Sequence, residues 1–309
     1  MKTLLEAIRP ATFIEPEKLA KHLDLNITVA TETFQHTGSF KFRAGYNVAL
    51  NVPNDELFTA SSGNFGQGLA RACMLLGKKC TVVMPDTSAR VKIDAVASYG
   101  ATVDLIDVNI VSRSERIAQI AAEKSAGKSE AYFASAYDDP WVIEGNASLG
   151  DELAACGKDF DLVIAPIGGG GLTSGVITCL RRNGNNTPVY AAEPLLGNDA
   201  ALSLRAGHIV KNEQEPTTLA DGARTLSIGE HNWKILQNGL ADVIEVSEEK
   251  LIEAVRLYFT LANLKVEPTG ALSLGAVLEE PEMFAGKKIC LVVSGGNVDA
   301  KVYKQILGD

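Results

Sequence analysis

The chain is predicted to be an α/β protein built on open, parallel-type sheets with helices on both faces. Two observations carry this. From residue 56 onward, short β-branched runs alternate with helix-length segments, the rhythm of strand–helix–strand units. That rhythm pauses after residue 135 and resumes at 162, which gives two sets of strands and helices.

In the first set the expected strands are 57–60, 80–84, 103–107 and 132–135, and the helices between them are 68–76, 89–99 and 113–124. In the last of these helices Ile117, Ile120 and Ala121 recur at helical spacing, with charges on the other side. Gly77, Gly100 and Gly127 fall where helix ends belong, in the left-handed position glycine tolerates best. The second set holds strands at 162–165, 189–192, 243–246 and 289–293. Ser247 suits the N-cap of a helix over 248–264, with Glu248 and Glu249 in its first turn. The pattern alone leaves open whether the sets form sequential domains or one inserted in the other.

Of 309 residues, 46% are hydrophobic and 22% charged, as in an ordinary globular protein. Lys plus Arg number 29 against 38 Asp plus Glu, a net charge of −9, which argues against nucleic acid or an anionic membrane as partner. A local pocket for a small anion stays compatible with it. Cys73, Cys80, Cys156, Cys179 and Cys290 are odd in number and widely spaced, so they are expected as reduced thiols packed as small hydrophobes. The first ten residues have neither signal- nor transit-peptide character, and the longest uncharged run, 162–180, contains Pro166 and four glycines. A cytoplasmic protein is expected.

The P-loop, the dinucleotide G-x-G-x-x-G, the H-E-x-x-H and the G-x-S-x-G signatures are all missing. His22, His36, His208 and His231 are scattered and suggest neither a ligand set nor a base. Three strings remain. Gly168-Gly169-Gly170-Gly171 follows an expected strand and precedes a helix-length segment that begins at Leu172. Such a run lets backbone N–H groups and the positive helix end surround one small anion; a tight turn that needs glycine only for its backbone is the alternative. The loop from Ser61 to Gly68 offers hydroxyls, an amide and N–H groups that suit a carboxylate, or simply cap a helix. Lys41, between Phe40 and Phe42, is either an exposed lysine or one whose amine is made nucleophilic by burial.

Together, and in this order, these strings resemble the fold-type II pyridoxal-phosphate (PLP) enzymes, specifically the serine/threonine dehydratase and serine racemase group. The resemblance covers nearly the whole chain: Thr37 to Gly45 around the cofactor lysine, Ser61 to Gly68, Gly168 to Leu172, Leu219 to Gly222, Glu267-Pro268 and Ser294 to Asn297. It implies a tryptophan synthase β-subunit-like fold, with a large PLP-binding domain (1–48 and 136–309) into which a small domain (49–135) is inserted.

The resemblance also implies roles. Lys41 would bind PLP through its amine and then act as base at the substrate's α-carbon. Phe40, Asn64, Gly168, Gly169, Gly170, Gly171, Leu172, Glu267 and Ser294 would bind the cofactor, with Asn64 at the ring oxygen. Ser61, Ser62, Gly63, Asn64 and Phe65 would bind substrate. Ser294 would face the ring nitrogen with a hydroxyl rather than a carboxylate, which favours prompt loss of a β-substituent over transamination. Ser62 would serve either as carboxylate donor or as a second acid/base, the latter giving racemisation. Glu193, Gly197 and Asp199 match the family's Mg²⁺ or Ca²⁺ site, or are two solvated acids at a turn.

The expected activity is that of an ammonia-lyase turning a small β-hydroxy amino acid (serine, threonine or a relative such as 3-hydroxyaspartate) into a 2-oxo acid and ammonia. An amino-acid racemase is the first rival; a nicotinamide-dependent dehydrogenase and a non-catalytic metabolite-binding protein are more distant ones. A homodimer is expected by likeness alone, and no feedback site of the kind carried on an additional C-terminal domain is expected. Two departures bear on the substrate. Phe65 stands where the family usually has histidine, and Gly145-Asn146-Ala147-Ser148 where a Gln-Gly-Thr pattern is common. Arg113 lies near a family carboxylate-binding arginine, about one residue out of register.

Overall fold

The computed structural model describes residues 2–88, 90–126 and 130–308. It contains ten strands: β1 (Thr12–Ile14), β2 (Asn26–Thr31), β3 (Glu56–Ala60), β4 (Lys79–Pro85), β5 (Thr102–Ile106), β6 (Ala131–Phe133), β7 (Leu162–Pro166), β8 (Val189–Pro194), β9 (Leu240–Val246) and β10 (Lys288–Val293). These make two sheets, β5-β4-β3-β6 and β1-β2-β10-β7-β8-β9. Every strand pair is parallel except β1–β2. The α/β class expected from the alternation is therefore the class observed.

The chain divides into two compact units, one of Met1–Arg9 with Lys41–Gly145, the other of Pro10–Phe40 with Asn146–Asp309. The expected small domain ran from 49 to 135, whereas the observed bounds take in the helix Lys41–Asn51 and residues 136–145. Packing explains the wider bounds. The helix Lys41–Asn51 lies so close to Asn64–Leu76 that a methyl group on Gly45 would come 2.7 Å from the Leu69 nitrogen. Its Asn47 donates to the Trp141 carbonyl at 2.7 Å, and its Tyr46 hydroxyl donates to the Lys2 carbonyl at 2.9 Å.

In the smaller unit successive residues of β3 serve opposite faces, as the two-residue period of a strand requires. Leu57 packs with Phe65, Leu69, Val82 and Met84; Phe58 packs with Val83, Ile106 and Ile120. In the larger unit Leu162 and Ile164 of β7 join one core, and Val163 and Ala165 the other. All five residues of β7 are buried, and a central parallel strand covered on both faces has to be apolar along its whole length.

Several local expectations hold. Gly77 and Gly100 adopt positive φ, 69° and 76°. Ser247 Oγ accepts from the Lys250 N–H and opens the helix Glu248–Ala262, which Asn263 ends in the left-handed region. Ala89, the expected start of one helix, and Gly127 lie outside the described residues. Cys156 is half-buried, the other four cysteines are buried, and none of the five forms a disulfide among the described residues. Among the described residues no helix is long and apolar enough to cross a membrane.

In each unit the candidate residues lie just beyond the carboxyl ends of parallel strands: Ser61–Gly63 after β3, residues 134–139 after β6, Gly168–Gly171 after β7 and Ser294–Asn297 after β10. That is where open α/β sheets place their ligands.

Candidate active site

Lys41 is the first residue of its helix and is half-buried. Its Nζ donates to the Ala136 carbonyl at 2.6 Å and sits over the Phe65 ring, 5.7 Å from the centroid. Gly68 makes the site close-packed. A Cβ there would lie 2.8 Å from the Lys41 main-chain oxygen, so the two helices meet backbone to backbone.

The serine loop turns directly from β3 into the helix Asn64–Leu76. Ser61 is anchored by its N–H to the Val83 carbonyl at 3.2 Å, and its Oγ accepts from Gly63 N at 3.4 Å. Ser61, Ser62, Gly63 and Asn64 are half-buried, whereas Phe65 is 1% exposed. Arg113 opens the helix Arg113–Ala126 and is half-buried there.

In the larger unit the glycine run forms the turn from β7 into the helix Gly171–Arg182. The first N–H groups of a helix have no partner within it. Here Ser174 N is the first to bond back, to the Gly170 carbonyl at 2.9 Å, which leaves the amides of Gly171, Leu172 and Thr173 at the positive helix end. Gly170 has φ +97°, and a side chain there would meet Leu236 at 2.8 Å. The Gly169 carbonyl is held by Gly229 N at 3.1 Å and Asn232 Nδ2 at 2.8 Å. The loop is thus fixed from outside while its amides stay directed along the helix axis.

Ser294 directly follows β10, is 2% exposed, and its Oγ has no hydrogen-bond partner among the described residues. Its carbonyl accepts from Phe40 N at 3.0 Å, so the residue before Lys41 is tied to it. Glu267, 3% exposed, precedes the helix Pro268–Glu279; its N–H donates to the Gly295 carbonyl at 3.1 Å, and its carboxylate lies against Gly295. Ser174 Oγ and both amide atoms of Asn146 are also buried without partners, and Asn146 packs against Gly175.

The acid pair differs from two solvated carboxylates. Glu193 and Asp199 are each 1% exposed. Glu193 accepts from Ala200 N at 2.8 Å and Ala201 N at 2.9 Å, and so caps the helix Asp199–Ala206. Burial, then the neighbouring Asp199, pushes the Glu193 carboxyl well above the usual range. Burial pushes Asp199 up to about 7. Asp199 Oδ1 accepts from Asn212 at 3.0 Å, and its Oδ2 has no hydrogen-bond partner among the described residues. No group of three or more His, Cys, Asp or Glu able to hold a metal occurs among the described residues.

The family model described as pyridoxal-phosphate dependent enzyme matches residues 4–295. The chain belongs to that family. It is 35% identical over 272 residues to the beta-hydroxyaspartate dehydratase of Paracoccus denitrificans, covering 87% of this chain and 84% of that protein. It is 34% identical to the serine racemase of Schizosaccharomyces pombe, covering 89% and 85%. The crystal structure of a threonine deaminase from T.th. superposes with a TM-score of 0.86 at 38% identity, covering 94% of this chain and 92% of that one. The chain is therefore a fold-type II PLP enzyme of the dehydratase/ammonia-lyase type, related to serine/threonine dehydratases and serine racemases.

Each unit holds residues that fit a part of PLP. The Gly171–Thr173 amides at a helix end suit a phosphate dianion. The Lys41 amine suits an aldehyde, and the unpartnered Ser294 hydroxyl suits a ring nitrogen that carries no proton. Residue-by-residue reading misses three contributors. The Ala136 carbonyl is a main-chain group, which no residue type announces. Asn232 and Thr269 act by holding loops, Thr269 Oγ1 accepting from Gly222 N at 2.9 Å. An isolated Asn or Thr carries no motif.

Proposed function

We propose that this enzyme is an ammonia-lyase for a small β-hydroxy amino acid of the serine, threonine and 3-hydroxyaspartate group, releasing a 2-oxo acid and ammonia. The observation that carries this reading is the unpartnered Ser294 hydroxyl. With a hydroxyl at the ring nitrogen, loss of the β-hydroxyl is favoured over transamination. Bound PLP supplies a conjugated ring that withdraws the electron pair of the substrate's α-carbon.

Lys41 would hold the cofactor by its amine and would take the α-proton of the substrate. Phe40 and Asn64 would contact the cofactor, Asn64 by a hydrogen bond to the ring oxygen. The Gly168–Gly171 run and Leu172 would hold the phosphate, and Glu267 supports the Ser294 loop. Ser61, Ser62 and Gly63 grip the substrate carboxylate, with Phe65 as an apolar wall. Asp199 Oδ2, the Gly197 carbonyl and Glu193 offer oxygen ligands to a structural divalent cation.

A second reading, racemisation, draws on Ser62 as an acid/base opposite Lys41 and on the likeness to serine racemases. The test is incubation with L-serine, L-threonine and L-threo-3-hydroxyaspartate, using wild type and Lys41→Ala. Oxo-acid release lost in Lys41→Ala supports the lyase. D-isomer without oxo acid would replace it with the racemase.

A further inference from the structure

We propose that Phe65 is a positioning residue for Lys41, its ring face holding the protonated Nζ beside the Ala136 carbonyl. This deepens the proposed function and rests on Lys41 acting there as base. Nζ lies over the ring, 5.7 Å from its centroid, within the range at which a cation feels the negative face of an aromatic ring. It donates to the Ala136 carbonyl at 2.6 Å.

Both partners are fixed. Phe65 is 1% exposed and packed with Leu57, Leu69 and Val82. The turn carrying Ala136 is closed from within: Ser135 Oγ accepts from Asp138 N at 3.0 Å, and Asp139 Oδ1 accepts from Trp141 N at 2.8 Å. The Tyr132 hydroxyl donates to Asp139 Oδ2 at 3.0 Å.

A carbonyl oxygen and a π face share one property. Neither has a proton to give Nζ, and each binds an ammonium more strongly than a neutral amine. In the proposed reaction the substrate Cα–H bond breaks as an N–H bond forms at Nζ. The electron pair left on Cα becomes the second bond between Cα and Cβ as the Cβ–O bond breaks, and the β-oxygen leaves with that bond's own pair, taking up a proton to depart as water. Positive charge therefore develops on Nζ where these two groups stabilise it. They also fix Nζ in place while it is detached from the cofactor, so the proton transfer starts from a set geometry.

Replacing Phe65 with 4-fluoro-, 3,5-difluoro- and 3,4,5-trifluorophenylalanine tests this, because fluorine drains the ring face of negative charge with little change of shape. Two readouts apply. On the full-length chain before PLP is added, competitive labelling with trinitrobenzenesulfonate, followed on the Lys41 peptide by mass spectrometry, gives the pH midpoint of the amine. That midpoint is expected to fall stepwise, by roughly half a unit to one and a half units across the series. On the PLP-loaded enzyme, kcat for oxo-acid release is expected to fall in the same order with KM little changed.

A midpoint that stays flat across the series overturns the proposal; so does a Phe65→Leu chain that labels like wild type. A stepwise midpoint in a chain that releases no oxo acid would leave the positioning role standing and remove the proposed function. Oxo-acid release with a flat midpoint would do the reverse.

Discussion

A methyl group built on Gly68 would lie 2.8 Å from the main-chain oxygen of Lys41 and 2.9 Å from its carbonyl carbon. Those atoms are backbone and cannot swing aside, so Gly68→Ala has to push the paired helices away from each other. The expected loss is about 1–3 kcal/mol in a urea melt, the usual cost of overpacking. Weaker PLP binding should accompany it, because the displaced residue is the lysine proposed to hold the cofactor. An unchanged melt with unchanged PLP affinity would mean that the helices separate freely.

Ser294 yields an expectation of the opposite sign. A buried hydroxyl without a partner costs about 1–3 kcal/mol of desolvation. Ser294→Ala removes that cost and no hydrogen bond of Oγ. Measured without PLP, the variant should be as stable as wild type or more so; with PLP, its absorption spectrum should change and oxo-acid release should slow. A loss of stability above about 1 kcal/mol would mean that Oγ serves the fold.

Ser62→Ala separates the two roles open to that hydroxyl. If Ser62 is a second acid/base, D-isomer formation should fall by roughly 10²–10⁴-fold while oxo-acid release changes little. Chiral chromatography and a keto-acid assay on one sample read both. Parallel losses, with a raised KM, would make Ser62 a carboxylate donor instead.

The Glu193–Asp199 pair is tested by cation removal. After dialysis against a chelator, millimolar Mg²⁺ or Ca²⁺ should raise the thermal midpoint by a few degrees, as any ligand of the folded state does. Asp199→Asn should abolish that response. Equal midpoints with and without cation would leave Glu193 with its capping role alone, its oxygens already accepting from Ala200 and Ala201.

What is legible in the chain follows from local physics. β7 and the glycine run can be read because a fully buried strand is apolar along its length and a helix-end cradle needs residues without side chains. β2, Asn-Ile-Thr-Val-Ala-Thr, carries strand-forming Ile27, Thr28 and Val29 but lies before residue 56, where the alternation of strands and helices begins, and its burial comes with pairing to β10. The helix Pro268–Glu279 escapes notice for a related reason: it is buried on all sides from 268 to 277 and so has no apolar stripe. Phe65 is legible as an apolar wall, but its place under Nζ depends on the packing of two helices. The smaller unit extends beyond the expected bounds of 49 and 135 because Gly45 and Gly68 act through contacts that no local pattern records.

The clamp around residues 37–40 has a consequence for how the enzyme matures. Asn297 donates to the Thr37 carbonyl at 2.6 Å across a separation of 260 residues, and Gly296 N donates to the Gly38 carbonyl at 2.9 Å. Segments 260 residues apart thus fasten each other. The stretch leading into Lys41 stays untethered until the ribosome has made Asn297, so a nascent chain should gain the yellow colour of bound PLP only after that residue emerges.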